Sequence, residues 1–258
     1  MPTVLITGCS SGFGLEIARH FLAQEWHVVA TMRTPRDDVL PKSDRLRILP
    51  LDVTDADSIR QAVADAGPLD ALVNNAGVGA GSPSELTPMA TIRDIFETNT
   101  FGTIAMMQAV LPQFRQRRSG VVVNVTSSIT YKATPFAASY RASKAAVNAF
   151  TEAAALEVAS FGIRMHIVLP GRAPETRFLD NGKNRIQGMD DAAYGPLIQQ
   201  IFDTLLNRTG PVTYSRDVAE AVWQAITEPA TPLHIPAGLD AKESSREAHL
   251  GGDAATTR

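Results

Sequence analysis

The chain has 258 residues, of which 44% are hydrophobic and 20% are charged, as expected for one globular domain that buries a core without metals or disulfides. Its net charge of −3 gives no general attraction to nucleic acid or to an anionic membrane. Cys9 is the single cysteine and the five histidines are scattered, so we predict neither a disulfide framework nor a metal site. Because neither a secretory signal nor an apolar run of about 20 residues is visible, we expect a cytoplasmic protein.

Short runs rich in Val, Ile and Leu alternate with helical stretches along the chain. This alternation predicts an α/β domain in which a parallel sheet is covered by helices on both faces. The predicted strands are 3–7, 27–32, 46–50, 70–73, 121–125, 163–168 and 233–235. The spacing of apolar residues predicts a helix between the first two strands. Further helices are predicted at about 91–117, 139–159 and 217–227.

Two segments differ from this alternating pattern. Residues 172–212 contain several Gly, Pro and Asn residues, followed by an apolar helical patch of Leu197, Ile201 and Leu205. We interpret this segment as an insertion into the domain and not as a second domain. The segment 242–258 is polar and has no apolar periodicity, so we expect a mobile tail. The domain itself would then comprise residues 1–241.

A glycine-rich turn lies between the first predicted strand and the first predicted helix, with the sequence Thr7-Gly8-Cys9-Ser10-Ser11-Gly12-Phe13-Gly14. Gly8 permits a tight turn, Gly12 lets the backbone approach a bound group, and Gly14 lets the helix pack closely on the strand. The free N–H groups at the start of the helix attract phosphates. A GxxxGxG turn in this setting predicts a dinucleotide pyrophosphate site, formed by Gly8, Ser10, Ser11, Gly12, Phe13 and Gly14.

Further motifs follow the glycine turn in a fixed order, namely Asp52-Val53, Asn74-Asn75-Ala76-Gly77, Asn99, Ser127, Tyr140-x-x-x-Lys144 and Pro170-Gly171. Together with the turn, they resemble the short-chain dehydrogenase/reductase family from Val4 to about Gly171, and more weakly to Ala237. The resemblance implies a single-domain Rossmann fold, a doubly wound parallel sheet with helices on both faces. It also implies an NADP(H)-dependent enzyme that moves hydride between a nicotinamide and a carbonyl or secondary alcohol of a small organic substrate.

Tyr140 and Lys144 lie four residues apart in a helical stretch, so they share one face of the helix. A free tyrosine has a pKa of about 10, and a nearby ammonium group favours the phenolate and lowers that pKa toward the working pH. Tyr140 can then act as general acid and base at a substrate oxygen. Ser127 follows a strand thirteen residues earlier and can hydrogen-bond the same oxygen. The family's spacing selects Ser127 among three neighbouring hydroxyl residues, with Ser128 as the alternative.

The resemblance assigns roles to several other residues. Asn99 is unfavourable within a helix, and its carbonyl would hold a water that links to Lys144 in a proton relay. A local kink or a satisfied surface amide is the alternative. Lys144 would also bind the nicotinamide ribose. Asp52 would meet the adenine amino group with Val53 beside the ring, unless Asp52 is only a residue that ends a strand.

The resemblance also covers two loops at the ends of strands. Asn74–Gly77 is either a simple turn or, as in the family, a segment that stabilises the sheet while Asn75, Ala76 and Gly77 run beside the adenosine ribose. Pro170-Gly171 would contact the cofactor. The family places a threonine about five residues beyond this pair, in contact with the nicotinamide amide. Thr176 comes one residue late here, so this contact is left open.

Arg33 decides the expected choice of cofactor. An NAD site usually places an acidic residue at the end of the second strand, where it holds the ribose hydroxyls and repels a 2′-phosphate. The first acid here is Asp37, which comes after Pro35 and too late in the loop. Arg33 instead offers a planar cation suited to a phosphate, and Ser11 can add a hydroxyl. We therefore predict NADP(H), although Arg33 could also be a solvated loop cation.

The flexible start and the apolar patch of residues 172–212 predict a lid over the substrate. By resemblance, we also expect a homodimer or homotetramer in which the two long helices, about 91–117 and 139–159, pair between subunits. No nucleic-acid or membrane partner is expected, and no motif identifies the substrate.

Two other functions are consistent with part of the sequence. A nucleotide-sugar epimerase or dehydratase also uses YxxxK, but it carries a differently spaced glycine turn and a longer substrate domain. A catalytically silent NADP(H)-binding sensor or scaffold typically lacks the tyrosine, lysine or serine that this chain retains.

Overall fold

Strands and helices alternate along the chain in the computed structural model, which describes residues 1–79, 81–206 and 209–255. The strands are β1 (Thr3–Ile6), β2 (His27–Met32), β3 (Leu46–Pro50), β4 (Ala71–Asn74), β5 (Gly120–Val125), β6 (Ile163–Pro170) and β7 (His234–Ala237). The helices are α1 (Gly12–Ala23), α2 (Ala56–Ala66), α3 (Met89–Phe96), α4 (Gly102–Arg117), α5 (Ala138–Val158), α6 (Phe178–Gly182), α7 (Gly195–Leu206), α8 (Ser215–Thr227) and α9 (Leu239–Ala255).

The strands of the described part form one sheet in the order β3-β2-β1-β4-β5-β6-β7, and all neighbouring strands are parallel. The chain winds outward from β1 to β3 on one side, and then returns to β4 on the other side of β1. The loops that leave β1 and β4 therefore diverge at the carboxyl edge of the sheet and leave a crevice between them. This architecture is the predicted doubly wound Rossmann fold.

Apolar cores cover both faces of the sheet. On one face, α1 and α8 pack against the sheet around Phe21, whose ring centroid lies 5.1 Å from Trp26 and 5.2 Å from Trp223 in edge-to-face contacts. On the other face, α2, α4 and α5 bury side chains such as Met106 and Phe114 completely. Each such side chain contributes about 1.5–3 kcal/mol through burial. The strands between these layers are nearly continuous apolar runs because both of their faces are covered.

The predicted strands all occur, with bounds within two residues of those expected. The predicted helix 91–117 is interrupted, because a π-helical segment, Glu97–Phe101, separates α3 from α4. Helix α2 was not predicted, although Asp55 gives a start signal: its carboxylate accepts hydrogen bonds from the backbone N–H groups of Asp57 and Ser58, at 2.8 and 3.3 Å.

The insertion 172–212 contains α6, a 3₁₀ turn at Lys183–Arg185, and α7. The predicted apolar patch is only partly buried, since Leu197 is 37% exposed while its neighbour Ile198 is buried. Residues 207 and 208 and the side chain of Leu205 lie outside the described part.

The segment 242–258 is expected to be a mobile tail. Its residues 242–255 continue helix α9, whose first turn contains the buried residues Asp240 and Ala241. Its mobility stays a prediction, and residues 256–258 lie outside the described part. Within the residues that the structure describes, no helix is long and apolar enough to cross a membrane.

Candidate active site

The glycine turn between β1 and α1 is clasped by the loop that follows β4. The hydroxyl of Thr7 accepts the backbone N–H groups of Asn75 and Ala76, both at 3.0 Å. The Asn75 side-chain amide donates to the carbonyls of Thr7 and Gly8, at 3.0 and 3.2 Å. A Cβ added to Gly14 would lie 2.4 Å from that amide nitrogen. The Cβ would also lie 2.4 Å from the Gly8 carbonyl oxygen, so glycine at 14 is required by the backbone of the turn as well as by Asn75.

Gly12 is different, because the space above it is open. The nearest atom to a Cβ placed there is the Cβ of Thr176, at 3.6 Å, and its φ of +59° favours glycine. Within the described residues, the side chain of the N-cap residue Ser11 makes no capping hydrogen bond. The first N–H groups of α1 are thus available to an anion, and the helix dipole favours negative charge there. These features suit a bound phosphate, and we call this turn the phosphate cradle.

Cys9 lies beneath this cradle and is completely buried. Its N–H donates to the carbonyl of Thr31 at 2.9 Å, and its Sγ donates to the carbonyl of Ile6 at 3.3 Å. Burial raises the pKa of the thiol to about 12, against the smaller effect of the hydrogen bond with the Thr31 backbone. Cys9 is therefore an inert part of the turn.

The two predicted adenine-side residues lie beside the end of β2. The Asp52 carboxylate accepts the N–H and hydroxyl of Thr54, at 2.9 and 2.8 Å, so it closes a local turn. Burial raises the pKa of Asp52, but the Thr54 hydrogen bonds and the charge of Arg33 outweigh burial and hold that pKa below its usual value. Val53 is buried against Gly102, where a Cβ would lie 2.8 Å from its Cγ2. Both residues thus have structural partners as well as a place near the crevice.

Arg33 is exposed at the end of β2, as its predicted role requires. The exposed carboxylate of Asp38, further along the loop, pairs with Arg36 at 3.0 Å.

Asn99, Lys144 and Gly77 meet at the centre of the crevice. A Cβ on Gly77 would lie 3.1 Å from the Asn99 side-chain oxygen and 3.2 Å from Lys144 Nζ. The Lys144 ammonium donates to the carbonyl of Val125 at 3.1 Å. Burial, at 5% exposure, lowers the pKa of Lys144 to about 8.

Asn99 lies in the π-helical segment, where its side chain joins two elements. It accepts the N–H of Val78 at 2.8 Å and donates to the Val78 carbonyl at 2.9 Å and to the Ser143 hydroxyl at 3.0 Å. The π-helical turn is the kink that an asparagine inside a helix suggested, and such turns are frequent at functional sites. The backbone carbonyl of Asn99 accepts the Thr103 hydroxyl at 2.9 Å. Its role in a water relay stays a prediction.

Tyr140 is half-buried in the first turn of α5, and the Ser127 side chain lies near its phenol. Burial raises the pKa of Tyr140 to about 12, and the Ser127 side chain lowers it by a smaller amount. The expectation that Lys144 draws this pKa toward neutrality is not met in this arrangement, because burial is the largest effect on the phenol. At neutral pH the phenol is protonated and can serve as a proton donor.

Ser127 caps a 3₁₀ turn, Ser128–Thr130, directly after β5. Its hydroxyl accepts the N–H of Ile129 at 3.2 Å, which leaves the O–H free to point elsewhere. The Ser127 side chain is the one that lowers the pKa of Tyr140, which favours Ser127 over the alternative, Ser128, one residue further along the turn.

Pro170 and Gly171 end β6 and are held by two residues that sequence reasoning missed, Thr213 and Asp240. Gly171 N–H donates to the Thr213 hydroxyl at 2.9 Å, and that hydroxyl lies 2.7 Å from an Asp240 carboxylate oxygen. A Cβ on Gly171 would lie 2.2 Å from the same carboxylate. Only the fold brings these positions together, so no local sequence signal marks them.

Thr176 lies above the glycine turn even though it comes one residue late in the chain. Its hydroxyl donates to the carbonyl of Ala173 at 2.9 Å, and its Cβ is the nearest atom to the open side of Gly12. Beyond it, Phe178 lies against the Tyr140 ring, with the centroids 5.4 Å apart. The start of the insertion thus lies beside both the glycine turn and Tyr140.

A phosphate cradle at the switch point of a doubly wound sheet defines the dinucleotide-binding class of α/β proteins. The profile of the family described as short chain dehydrogenase matches residues 2–184. The chain belongs to this family.

Particular relatives agree with this assignment. The 3-ketodihydrosphingosine reductase of Bacteroides thetaiotaomicron is 40% identical over 183 residues, which cover 69% of this chain and 66% of that protein. The chain thus spans just under two thirds of that relative. A short-chain dehydrogenase structure from Streptomyces avermitilis is 32% identical with a TM-score of 0.83, covering 99% and 96% of the two chains. A short chain dehydrogenase from Burkholderia cenocepacia, in complex with NADP, is 25% identical with a TM-score of 0.78, covering 98% and 94%.

The buried Lys144 makes the stability of the free protein depend on pH in a defined direction. Below about pH 8 it is charged in both states, and burying the charge destabilises the native chain. Lys144→Met should therefore raise the free energy of unfolding at pH 7 by on the order of 2 kcal/mol. As the pH rises from about 8 toward 10.5, the native wild type loses its proton before the unfolded chain does, so the wild type gains stability and the difference shrinks.

Urea denaturation at pH 7, 8 and 9 measures this difference. Lys132→Met, at a 77% exposed lysine side chain, is the control and should give a difference that does not change with pH. A Lys144→Met difference that stays constant or grows over this range would show that burial does not depress the pKa.

Proposed function

We propose that the protein is an NADP(H)-dependent oxidoreductase that transfers hydride between the nicotinamide and a carbonyl or secondary alcohol of a small organic substrate. The observation that carries this proposal is the placement of Tyr140, Ser127 and Lys144 beside the phosphate cradle. The similar Burkholderia cenocepacia structure contains NADP, and the similar Bacteroides protein is named as a reductase of a keto compound. Both support the proposal.

The residues of the crevice fit a dinucleotide. Gly12 leaves open space above an uncapped helix start, which suits a pyrophosphate. Arg33 presents a planar guanidinium at the end of β2, where it would pair with a 2′-phosphate, and Ser11 would add a hydroxyl. Asp52 and Val53 would border the adenine. The remaining predicted contacts are Gly8, Ser10, Phe13 and Gly14 in the turn, Asn75, Ala76 and Gly77 beside it, and Pro170 and Gly171 after β6.

The nicotinamide, when bound, supplies or accepts the hydride. In the reducing direction, the protonated Tyr140 gives its proton to the substrate oxygen as the carbonyl carbon is reduced. The oxidising direction requires the phenolate of Tyr140, which is the minor form at neutral pH. Ser127 donates a hydrogen bond to the same oxygen and stabilises its developing negative charge. Lys144 has a pKa of about 8 and can exchange a proton near neutral pH. With Asn99, it would return a proton to Tyr140.

The insertion would act as a lid through helix α6. A Cβ on Gly79 would lie 2.6 Å from the Phe178 ring, and a Cβ on Gly182 would lie 2.7 Å from the Gly79 carbonyl. Both ends of α6 therefore pack against Gly79, and this packing places Phe178 against Tyr140. An apolar ring beside the proton donor would form a wall of the substrate pocket and exclude water from it.

The long helices would pair between subunits. Phe101, at the entry to α4, is 54% exposed, and on α5 Phe150 and Leu156 are 37% and 83% exposed. Large apolar side chains so exposed on neighbouring elements suit an interface between two copies of the chain. We therefore propose a homodimer or a homotetramer.

Replacing the proton donor tests the reaction directly. Tyr140→Phe keeps the ring packing and removes the phenolic proton, so turnover of ketones with NADPH should fall about a hundredfold or more, while NADPH binding, followed by fluorescence, should change little. Tyr131→Phe is the matched control and should retain turnover. If wild type shows no loss of NADPH absorbance across a broad panel of ketones and aldehydes, the protein is a binding protein without this activity.

Reversing the charge at the end of β2 tests the choice of cofactor. Arg33→Asp should raise the KM for NADPH roughly tenfold or more, as expected when a charge-assisted phosphate contact is lost, and should leave NADH much less affected. Arg36→Asp makes the same change in charge at a residue already paired with Asp38, and it should have a much smaller effect. A wild type that works better with NADH than with NADPH would contradict the role of Arg33.

Hydrogen exchange tests the lid. Residues 175–206 should exchange more slowly when NADPH and a substrate are both present. Phe178→Ala should weaken this protection, while Leu197→Ala, at an exposed position on α7, should preserve it. Equal exchange in the free and bound states would show that the insertion does not close.

Sedimentation tests the assembly. Wild type should sediment at micromolar concentration as a dimer or tetramer. Leu156→Asp places a charge on the proposed interface and should shift the distribution toward the monomer. Leu239→Asp, at another exposed leucine (64% exposed), is the control. A monomeric wild type would refute the proposal.

A further inference from the structure

The turn that carries Ser127 is held by the side chain that follows Tyr140 in the sequence. Arg141 Nε donates to the carbonyl of Ile129 at 3.0 Å, and Arg141 Nη2 donates to the carbonyl of Thr130 at 3.0 Å. The guanidinium is partly buried and uses its planar fork on two successive carbonyls, a geometry that a lysine cannot reproduce. The contact spans the gap between the end of β5 and the start of α5.

The two carbonyls belong to residues that also fix Ser127. The N–H of Ile129 is donated to the Ser127 hydroxyl at 3.2 Å, and the Thr130 hydroxyl donates to the Ser127 carbonyl at 2.9 Å. Asn148, two helical turns beyond Arg141, donates to the Thr130 hydroxyl at 3.3 Å. A displacement of Ile129 would therefore move the hydrogen bond that orients the Ser127 hydroxyl.

We propose that Arg141 is a positioning residue that fixes Ser127 relative to Tyr140. The inference rests on the proposed function, in which these two side chains hold the same substrate oxygen. Because Arg141 is adjacent to Tyr140 on one helix, its guanidinium ties the serine turn to the element that carries the proton donor. A shift of about 1 Å between such groups can reduce a rate about a hundredfold. Arg141 itself would not touch the substrate.

The chain offers a matched control for a purely structural effect. Arg164, at the opposite edge of the sheet, also uses its guanidinium to hold backbone carbonyls, those of Ala225 and Ile226 at 2.8 and 2.6 Å. It is the second residue of strand β6 and therefore lies at the amino end of that strand, away from the carboxyl ends near Tyr140 and Ser127. Loss of Arg141 removes two hydrogen bonds to carbonyls and loss of Arg164 removes three, but only Arg141 is tied to the site.

The experiment compares Arg141→Met, Arg141→Lys and Arg164→Met. For Arg141→Met we expect kcat with NADPH and a ketone to fall at least tenfold, with the KM for NADPH within about twofold of wild type. Arg141→Lys, which can hold one carbonyl, should recover part of kcat. Arg164→Met should lower the melting temperature and leave kcat within about twofold.

Hydrogen exchange of residues 127–131 provides a readout that does not depend on activity. This peptide should exchange faster in Arg141→Met and at the wild-type rate in Arg164→Met. Unchanged exchange in Arg141→Met would show that Arg141 does not hold the serine turn. Faster exchange with unchanged kcat would show that holding the turn does not position Ser127 for the reaction. If wild type reduces no carbonyl compound, the proposed function fails and the positioning role fails with it. The exchange result still decides whether Arg141 holds the turn of residues 127–131.

Discussion

The clasp between Thr7 and Asn75 is the contact on which the rest of the site depends. It joins the ends of the two adjacent strands at which the chain changes direction, and it uses one hydroxyl and one amide to satisfy four backbone groups. Buried backbone groups at such a divergence would otherwise lack partners, because neither strand continues. The clasp thus determines the path of the glycine turn and of the loop that follows β4.

The same loop reaches the proposed catalytic centre. Two residues after Asn75, Gly77 lies against both the Asn99 side chain and the Lys144 ammonium, so the proposed nucleotide-binding and proton-transfer sides share one segment. Lys144 is held in this dry position at a cost in stability, since burial disfavours its charge. Functional sites commonly retain such unfavourable groups, because the surrounding packing holds them in place.

The fold was predictable because its signals are local and repeated. Apolar runs bounded by turn residues predicted the ends of each strand to within two residues. The failures have physical causes. Asn99 disturbs a helix only through its bonds to Val78 and Ser143, distant in sequence. The pKa of Tyr140 depends on burial, which a motif does not encode.

Other parts of the site depend on pairs of residues far apart in the chain. Asp240 lies 69 positions from Gly171 in sequence but occupies the space where its Cβ would be. Phe178 can lie against Tyr140 because Gly79 has no side chain that would clash with the Phe178 ring. Sequence spacing predicted which residue types would meet at the crevice, while the supports that hold them became visible only in three dimensions.

The sealed thiol beneath the glycine turn has a practical consequence. Since Cys9 is the only cysteine and is both inaccessible and protonated at neutral pH, an alkylating reagent reaches it only when β1 and the turn separate from β2. The rate of modification thus reports how often the cradle opens, without an introduced label. A bound dinucleotide would slow that rate in proportion to its occupancy. Alkylation of Cys9 therefore measures the local opening of the glycine turn in the unlabelled protein.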